Sequence, residues 1–232
     1  MTGLVFAAIT SLLALGWPAF KQRRRLRRWR QTLALHHHAK RFTALYQDVD
    51  GFALSRLSRT HQDAMEYVYG EIEFEPFIAL LSLCHITPHT VFYDLGSGCG
   101  KAIVACAMVY SPGRSCGIEL FAPLHQAADE LRIRLQAWPE YALKAKRIEF
   151  RQADFLEADL RDADLIFINS TAFFGDYWRR ISGHLEQLKP GTQVISTSKP
   201  LDSAAFYVLK TTVLQMSWGR VTAYLQHRLH TK

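Results

Sequence analysis

A glycine-rich loop between two apolar runs is the clearest chemical feature of the sequence. In V-F-Y-D-L-G-S-G-C-G-K-A-I-V-A-C-A-M (residues 91–108), Gly96, Gly98 and Gly100 follow a predicted strand and begin a predicted helix. Glycine lets a ligand approach backbone N–H groups that a side chain would cover. The loop therefore predicts a ligand site at the end of the strand, beside Asp94.

Acidic residues at two further strand ends narrow the choice of ligand. Glu119 ends the second strand, where a carboxylate can accept both hydroxyls of a ribose. Asp154 and Phe155 end the third, where an acid can accept an adenine amino group and a ring can cover its face. The spacing G-x-G-x-G after Asp94 suits the methionine end of S-adenosylmethionine (SAM), with the acid for its ammonium and the loop amides for its carboxylate. Each acid alone could be a solvated strand end, but the set predicts SAM as the cofactor.

Strands and helices alternate after residue 90, which predicts a largely parallel sheet covered on both faces. The runs 206–218 and 221–229 are strand-like and are joined by a turn at Gly219 without a helix, so they should pair as an antiparallel edge hairpin. The predicted fold class is α/β: a doubly wound, mostly parallel seven-stranded sheet with a C-terminal antiparallel hairpin, preceded by an N-terminal hydrophobic helix.

The charge of the chain is concentrated at its N-terminus. Residues 1–30 hold seven of the 28 basic side chains and none of the 21 acids, so the remainder carries 21 of each. A neutral remainder has no domain-wide field for polyanions, so nucleic acid is not an expected partner of residues 31–232. The basic segment is expected to lie on an anionic membrane surface, and nucleic-acid binding by this segment is the alternative.

An uncharged segment precedes the basic cluster. Residues 3–20 would form a helix about 27 Å long, close to the thickness of a bilayer core. Basic residues follow the apolar run, which favours an uncleaved anchor with the rest of the chain in the cytoplasm. The alternative is a buried or interfacial helix of a soluble protein.

Cysteine and histidine spacing indicates no metal site. Cys84, Cys99, Cys106 and Cys116 form no C-x-x-C pair, which is typical of reduced, buried thiols.

Two sets of motifs carry a family resemblance. The first set is Y-D-L-G-S-G-C-G-K, C-G-I-E-L, A-D-F-L and D-L-I-F-I-N, and the second is V-Y-G-E, I-F-I-N-S-T-A-F-F, S-T-S-K-P-L and S-W-G-R-V-T-A-Y-L. The first set resembles class I SAM-dependent methyltransferases. The second is similar to the disruptor-of-telomeric-silencing (Dot-one-like) protein lysine methyltransferases, over roughly residues 65–228.

The resemblance implies a cofactor site and a lysine channel. The residues implied to bind the cofactor, including a gate loop over its methionine end, are Tyr69, Glu71, Asp94, Gly96, Gly98, Lys101, Glu119, Asp154 and Phe155. Asn169 and Tyr224 take the catalytic positions, and Phe173 and Trp218 line the channel. A lysine must be neutral to attack, and an aromatic channel lowers its pKa from about 10.4. We therefore expect Asn169 and Tyr224 to position the amine through their oxygens rather than to remove a proton.

Departures from the family pattern lie mostly on the acceptor side. Ile72, Lys101, Ser170, Thr171 and Ala223 replace the family's Thr, Gln, Asn, Phe and Tyr. Two alternatives remain open: methylation of a nucleic-acid base, although N-S-T-A lacks the prolines of the N/D-P-P-Y/F motif, and SAM binding without turnover.

The sequence thus predicts an enzyme that transfers a methyl group from SAM to a lysine of a membrane or membrane-proximal protein. The predicted segments are a membrane-anchor helix (1–20), a basic juxtamembrane helix (21–45), a helical lead-in with the gate loop (46–90) and the methyltransferase domain (91–232). The predicted location is a single-pass membrane protein with a cytoplasmic catalytic domain.

Overall fold

The computed structural model describes residues 22–59 and 67–230. The hydrophobic helix predicted over residues 1–20 lies outside the described residues. Within the described ranges, no helix combines the length and the apolar character needed to cross a membrane. The chain divides into two compact units, residues 1–41 and 42–232. In the first unit, residues 22–32 are helical.

Helices and strands alternate along the second unit. The helices are α1 (Leu35–Tyr46), which begins in the first unit, α2 (Gly51–Ser58), α3 (Phe74–Leu81), α4 (Lys101–Tyr110), α5 (Ala122–Gln136), α6 (Ala142–Ala145) and α7 (Gly175–His184). The strands are β1 (Val91–Leu95), β2 (Arg114–Glu119), β3 (Ile148–Gln152), β4 (Leu165–Ile168), β5 (Gln193–Thr197), β6 (Phe206–Met216) and β7 (Gly219–Arg228).

The strands form one seven-stranded sheet in the order β3-β2-β1-β4-β5-β7-β6. Strands β1 to β5 pair in parallel, whereas β7 pairs antiparallel with both β5 and β6. The predicted doubly wound sheet and its C-terminal hairpin are therefore confirmed. The strand order reverses at β1, so the carboxyl ends of β1 and β4 lie side by side at the switch point, where α/β folds bind ligands.

Helices cover both faces of the sheet. On one face, Tyr93 and Ile166 belong to an apolar cluster that also contains Trp178 of α7. On the other face, Phe77 of α3 packs edge-on against Phe167 of β4, with ring centroids 5.0 Å apart. Because both faces are buried, the central strands are continuous apolar runs in the sequence.

The glycine loop needs backbone conformations that favour glycine. Gly96, Gly98 and Gly100 have φ angles of +79°, +53° and +78°. Gly100 also lies against Phe150 of β3, because a Cβ on Gly100 would come within 2.4 Å of the Phe150 ring. The turn therefore depends on glycine both for its left-handed backbone and for its close packing against the neighbouring strand.

The close packing at Gly100 leads to a stability prediction. Gly191 is a matched position, since its φ is +85° and a Cβ there would meet nothing within 4 Å. We expect Gly191→Ala to cost about 1–2 kcal/mol through its backbone alone, and Gly100→Ala to cost roughly 1–3 kcal/mol more through overpacking. Urea unfolding of both variants measures the difference, and equal losses would contradict the packing argument.

Candidate active site

Two adjoining pockets lie at the carboxyl ends of the parallel strands. The walls of the first include Glu119, Phe121, Asp154, Phe155, Phe173 and Tyr177, and the walls of the second include Glu71, Asp94, Ser97, Gly98, Lys101 and Met216. Tyr69, Gly70, Gly96 and Asn169 line both pockets. The structure thus brings most of the predicted site residues to one edge of the sheet.

Glu119 joins the glycine loop to the end of β2. Its side chain is buried, and its two oxygens accept hydrogen bonds from the backbone N–H groups of Gly98 (2.8 Å) and Phe121 (2.9 Å). Burial raises the pKa of this carboxyl, and the bonds from backbone N–H groups partly offset the rise. Each carboxylate oxygen retains a free lone pair, so Glu119 can still accept hydroxyls of a ribose.

The loop amides are less available than the sequence suggests. The N–H groups of Gly96 and Ser97 donate to the carbonyl of Ile118, at 2.9 and 3.0 Å, and that of Gly100 donates to the Ser97 carbonyl at 2.8 Å. The expectation that these amides hold the carboxylate of the cofactor is therefore not supported at these positions. The role of Gly96 is instead to leave space, because a Cβ there would project into an open region.

Asp154 and Phe155 lie where the sequence predicts the adenine contacts. One carboxylate oxygen of Asp154 accepts from the Leu156 N–H at 2.9 Å, which begins a short 3₁₀ turn and fixes the side chain. The ring of Phe155 is buried, with its centroid 6.0 Å from that of Phe173. An acid with a free oxygen beside a buried ring can hold a flat base that carries an amino group.

The second pocket contains two buried polar groups without hydrogen-bond partners in the part of the chain that the structure describes. Asp94 is 4% exposed, and no hydrogen bond from the described residues reaches its carboxylate. Burial and the charge of Glu119 raise its pKa well above the usual value. The Ser97 hydroxyl is also buried and has no hydrogen-bond partner among the described residues. A buried acid and an unbonded hydroxyl fit the ammonium and carboxylate of an amino acid, such as the methionine end of SAM.

An ion pair fixes the gate segment over this pocket. Glu71 accepts from the Tyr69 hydroxyl at 2.9 Å and lies 2.6 Å from the ammonium of Lys101. Lys101 is the first residue of α4, where a cation meets the positive end of the helix dipole, and the Glu71 carboxylate offsets that repulsion. Lys101, which replaces the family's Gln, therefore has a structural role: it holds Glu71 of the gate segment in an ion pair.

The gate segment is also attached to the hairpin. Ile72 forms an antiparallel bridge with Met216, and the Ser217 N–H donates to the Glu71 carbonyl at 3.0 Å. A Cβ on Gly70 would lie 2.0 Å from the ring of Trp218, so this ring covers the gate backbone directly.

Phe173 lines the first pocket, but Trp218 and Tyr224 lie elsewhere. Trp218 is 42% exposed and packs on Gly70. Tyr224 is half-buried on β7, paired with Ser196 of β5. Neither is part of the walls of the two pockets. Their place in a lysine channel stays a prediction.

Asn169 follows β4 and faces both pockets. Its carbonyl oxygen accepts hydrogen bonds from the hydroxyls of Thr197 (2.8 Å) and Thr171 (3.1 Å). Sequence reasoning did not identify Thr197, Ser198 or Ser97 as parts of the site. The signal that could have found the first two is the run of hydroxyl residues S-T-S at the end of a predicted strand.

Several solved structures with this fold are methyltransferases. An RNA methyltransferase from Salinibacter ruber, in complex with S-adenosyl-L-homocysteine, is similar with a TM-score of 0.54 and 26% identity, covering 67% of this chain and 92% of that one. TrmN from Thermus thermophilus is similar with a TM-score of 0.53 and 20% identity, covering 66% and 48% of the two chains. Fold and site together define a class I SAM-dependent methyltransferase, with SAM as its cofactor.

A family model identifies a narrower group within this class. The family described as Histone methylation protein DOT1 matches residues 54–218, most of the chain, and this protein belongs to it. A Caenorhabditis elegans relative named histone-lysine N-methyltransferase, H3 lysine-79 specific, is 27% identical over 84% of this chain and 21% of its own length. A relative of the same name from Cryptococcus neoformans is 29% identical over 56% of this chain and 21% of its own length. The chain thus spans about a fifth of these relatives.

The predicted membrane location is wrong. These relatives are named for the modification of a histone, and the described residues contain no helix able to cross a membrane. The prediction gave most weight to the apolar length of residues 3–20, which reaches only the lower limit of a spanning helix.

The buried Asp94 carboxylate leads to a prediction with opposite effects on stability and binding. The pKa of Asp94 is raised in the folded protein, so the ionised carboxylate lowers the stability of the folded state. The protein regains this stability as the pH falls through the raised pKa and the carboxylate is protonated. Asp94→Asn should therefore raise the urea midpoint of the ligand-free protein at pH 7.5. The same change should weaken SAM about tenfold or more, because a charge-assisted hydrogen bond is lost.

Asp202→Asn is the matched control for this variant, since Asp202 is exposed and remote from the pockets. Calorimetric titration with SAM and urea unfolding test both effects. A destabilised Asp94→Asn protein with unchanged SAM affinity would contradict the assignment.

The Lys101 ion pair leads to a prediction about gate opening. Lys101→Gln should speed hydrogen exchange at the Glu71 and Ser217 amides by up to about tenfold, because an ion pair of roughly 0.5–1.5 kcal/mol is lost. Lys189→Gln is the control. The Lys189 ammonium lies 2.5 Å from the Asp164 carboxylate, and this ion pair is not part of the gate. Exchange that is equally slow in both variants would show that the ion pair does not hold the gate.

Proposed function

We propose that this protein transfers a methyl group from SAM to the side-chain amine of a protein lysine. The observation that carries the proposal is the junction of the two pockets at Gly96 and Asn169, with one pocket suited to a nucleoside and the other to an amino acid. A cofactor that spans both would cross the junction. The names of the histone-lysine relatives support a lysine as the acceptor.

Each group of residues has a separate role toward the cofactor. Glu119 accepts the ribose hydroxyls, and Asp154 with Phe155 holds the base. Asp94 pairs with the ammonium, and the unbonded Ser97 hydroxyl donates to the carboxylate. Tyr69 and Glu71 cover this end, and Lys101 acts through Glu71 rather than on the cofactor.

On the acceptor side, the protein has to present a neutral amine. When bound, SAM supplies an activated methyl group on a sulfonium. Apolar walls such as Phe173 and Tyr177 keep water away from an amine that enters beside the bound nucleoside, and this desolvation disfavours the charged ammonium and lowers the pKa of the lysine. No side chain is required as a strong base, and orientation of the two reactants is the main contribution of the protein.

Methylation of a nucleic-acid base is the second candidate. The observation in its favour is the similarity to the Salinibacter ruber RNA methyltransferase. Against it, the sequence N-S-T-A at residues 169–172 lacks both prolines of the base-methylating motif.

An acceptor assay separates the candidates. Full-length protein is incubated with methyl-labelled SAM and, in parallel, recombinant nucleosomes, free histones, total cell protein and total RNA. The expected result is label that protease releases and that hydrolysis recovers as methyl-lysine. Asn169→Ala is the matched inactive variant and should lower the rate about a hundredfold through lost positioning.

Two results would contradict the proposal. Label released only by nuclease would indicate base methylation. Tight SAM binding without label in any acceptor would indicate a binding protein without turnover.

A further inference from the structure

Three hydroxyl side chains surround the carbonyl oxygen of Asn169. We refer to Thr171, Thr197 and Ser198 as the hydroxyl cluster. Thr197 and Thr171 lie 2.8 and 3.1 Å from the Asn169 oxygen, and the Ser198 hydroxyl lies 2.9 Å from that of Thr171. The cluster lies at the end of β5, directly beside the end of β4.

An amide oxygen only accepts, so the two bonds to Asn169 have a fixed direction and leave no hydrogen for the 3.3 Å contact between the Thr171 and Thr197 hydroxyls. Each hydroxyl has one hydrogen, so Thr197 and Thr171 each use theirs on the Asn169 oxygen. Thr171 then accepts from Ser198, and Thr197 accepts from the Ser170 N–H at 3.0 Å. Both lone pairs of the Asn169 oxygen are occupied in this arrangement, and every hydroxyl in the cluster donates once.

The backbone around the cluster is held in place. The Ser170 hydroxyl donates to the Thr197 carbonyl, and Ser170 is completely buried. Ser198 has a φ of +66°, a left-handed conformation that is costly for a residue with a Cβ, and its N–H donates to the Thr222 carbonyl at 2.7 Å. The fold thus maintains a strained residue whose hydroxyl completes the cluster.

The amide nitrogen of Asn169 is left for the pocket. No hydrogen bond from this nitrogen to the described residues exists, and Asn169 lines both pockets. With its oxygen occupied, the side chain can offer only N–H donors to bound molecules.

We propose that Thr171 and Thr197 are positioning residues that fix the Asn169 amide with its N–H groups toward the pocket junction. Asn169 therefore recognises a hydrogen-bond acceptor on the cofactor or on the incoming substrate, not an N–H of the amine. This inference deepens the proposed methyl transfer and rests on it for its catalytic consequence. The orientation of the amide itself does not depend on which acceptor is methylated.

Thr171 is the better residue to change, because Thr197 also supports the Ser170 backbone. Thr171→Val keeps the shape of the side chain and removes its hydroxyl, whereas Thr171→Ser keeps the hydroxyl. Thr212→Val makes the same chemical change on edge strand β6, two strands from Thr197 in the sheet and without a hydrogen bond to the hydroxyl cluster. All three are made in the full-length protein.

The first measurement is the side-chain amide signal of Asn169 in nitrogen-15 NMR spectra, assigned by its loss in Asn169→Ala. In Thr171→Val the two N–H signals should shift and broaden, because one of two hydrogen bonds that hold the carbonyl is gone. Thr171→Ser should restore the wild-type signals, and Thr212→Val should not alter them. Unchanged signals in Thr171→Val would overturn the proposal, whatever the activity of the protein.

The second measurement is methyl transfer to the acceptor found in the assay above, with S-adenosyl-L-homocysteine affinity measured by calorimetry. We expect Thr171→Val to lower kcat about tenfold, because a loosened Asn169 no longer holds the reactants in register. Its affinity for S-adenosyl-L-homocysteine should change less than the kcat, and Thr171→Ser should recover most of the rate. Equal losses in Thr171→Val and Thr171→Ser would overturn the role of the hydroxyl.

If no acceptor is methylated, the proposed function fails but the NMR comparison still decides the orientation of Asn169. The two failures are therefore distinguishable.

Discussion

The burial of two carboxylates beneath one glycine loop is the constraint on which the site depends. Glu119 compensates for its burial with two backbone N–H groups, and in doing so it fastens the loop to β2. Asp94 has no such compensation from the described residues, and the charge of Glu119 disfavours its ionisation further. The ligand-free fold therefore carries an unfavourable electrostatic term that a cationic ligand relieves, so stability and binding oppose each other at this position.

The sequence was sufficient for the sheet and for the position of most candidate site residues at its ligand edge, because both depend on local patterns. A buried parallel strand is a continuous apolar run, and the residue after it lies at the ligand edge of the sheet. Asp94, Glu119 and Asp154 were therefore placed correctly at that edge from their positions alone. The hairpin of β6 and β7 could be predicted for the same reason, because its two strand-like runs and the turn at Gly219 are adjacent in the sequence.

Features that depend on contacts between distant segments could not be predicted in this way. The loop amides were expected to be free, but their acceptors are the Ile118 carbonyl and the Glu119 side chain, which only the folded sheet brings near. The hydroxyl cluster and Asn169 join residues that are 26 to 28 positions apart in the sequence, such as Thr171 and Thr197. The location inferred from residues 3–20 was wrong for a different reason, because the length of an apolar run and the basic residues after it do not by themselves define a membrane anchor.

The attachment of the gate to the hairpin has a mechanical consequence. The cover of the second pocket is bridged at Met216 to β6, the outermost strand of the sheet, rather than to the central strands that hold the cofactor residues. The floor and the cover of the pocket thus belong to different parts of one sheet, the floor to the central strands and the cover to the outer hairpin. A bend of the outer hairpin would carry the cover of the pocket with it, so the free edge of the sheet is mechanically linked to the opening of the second pocket.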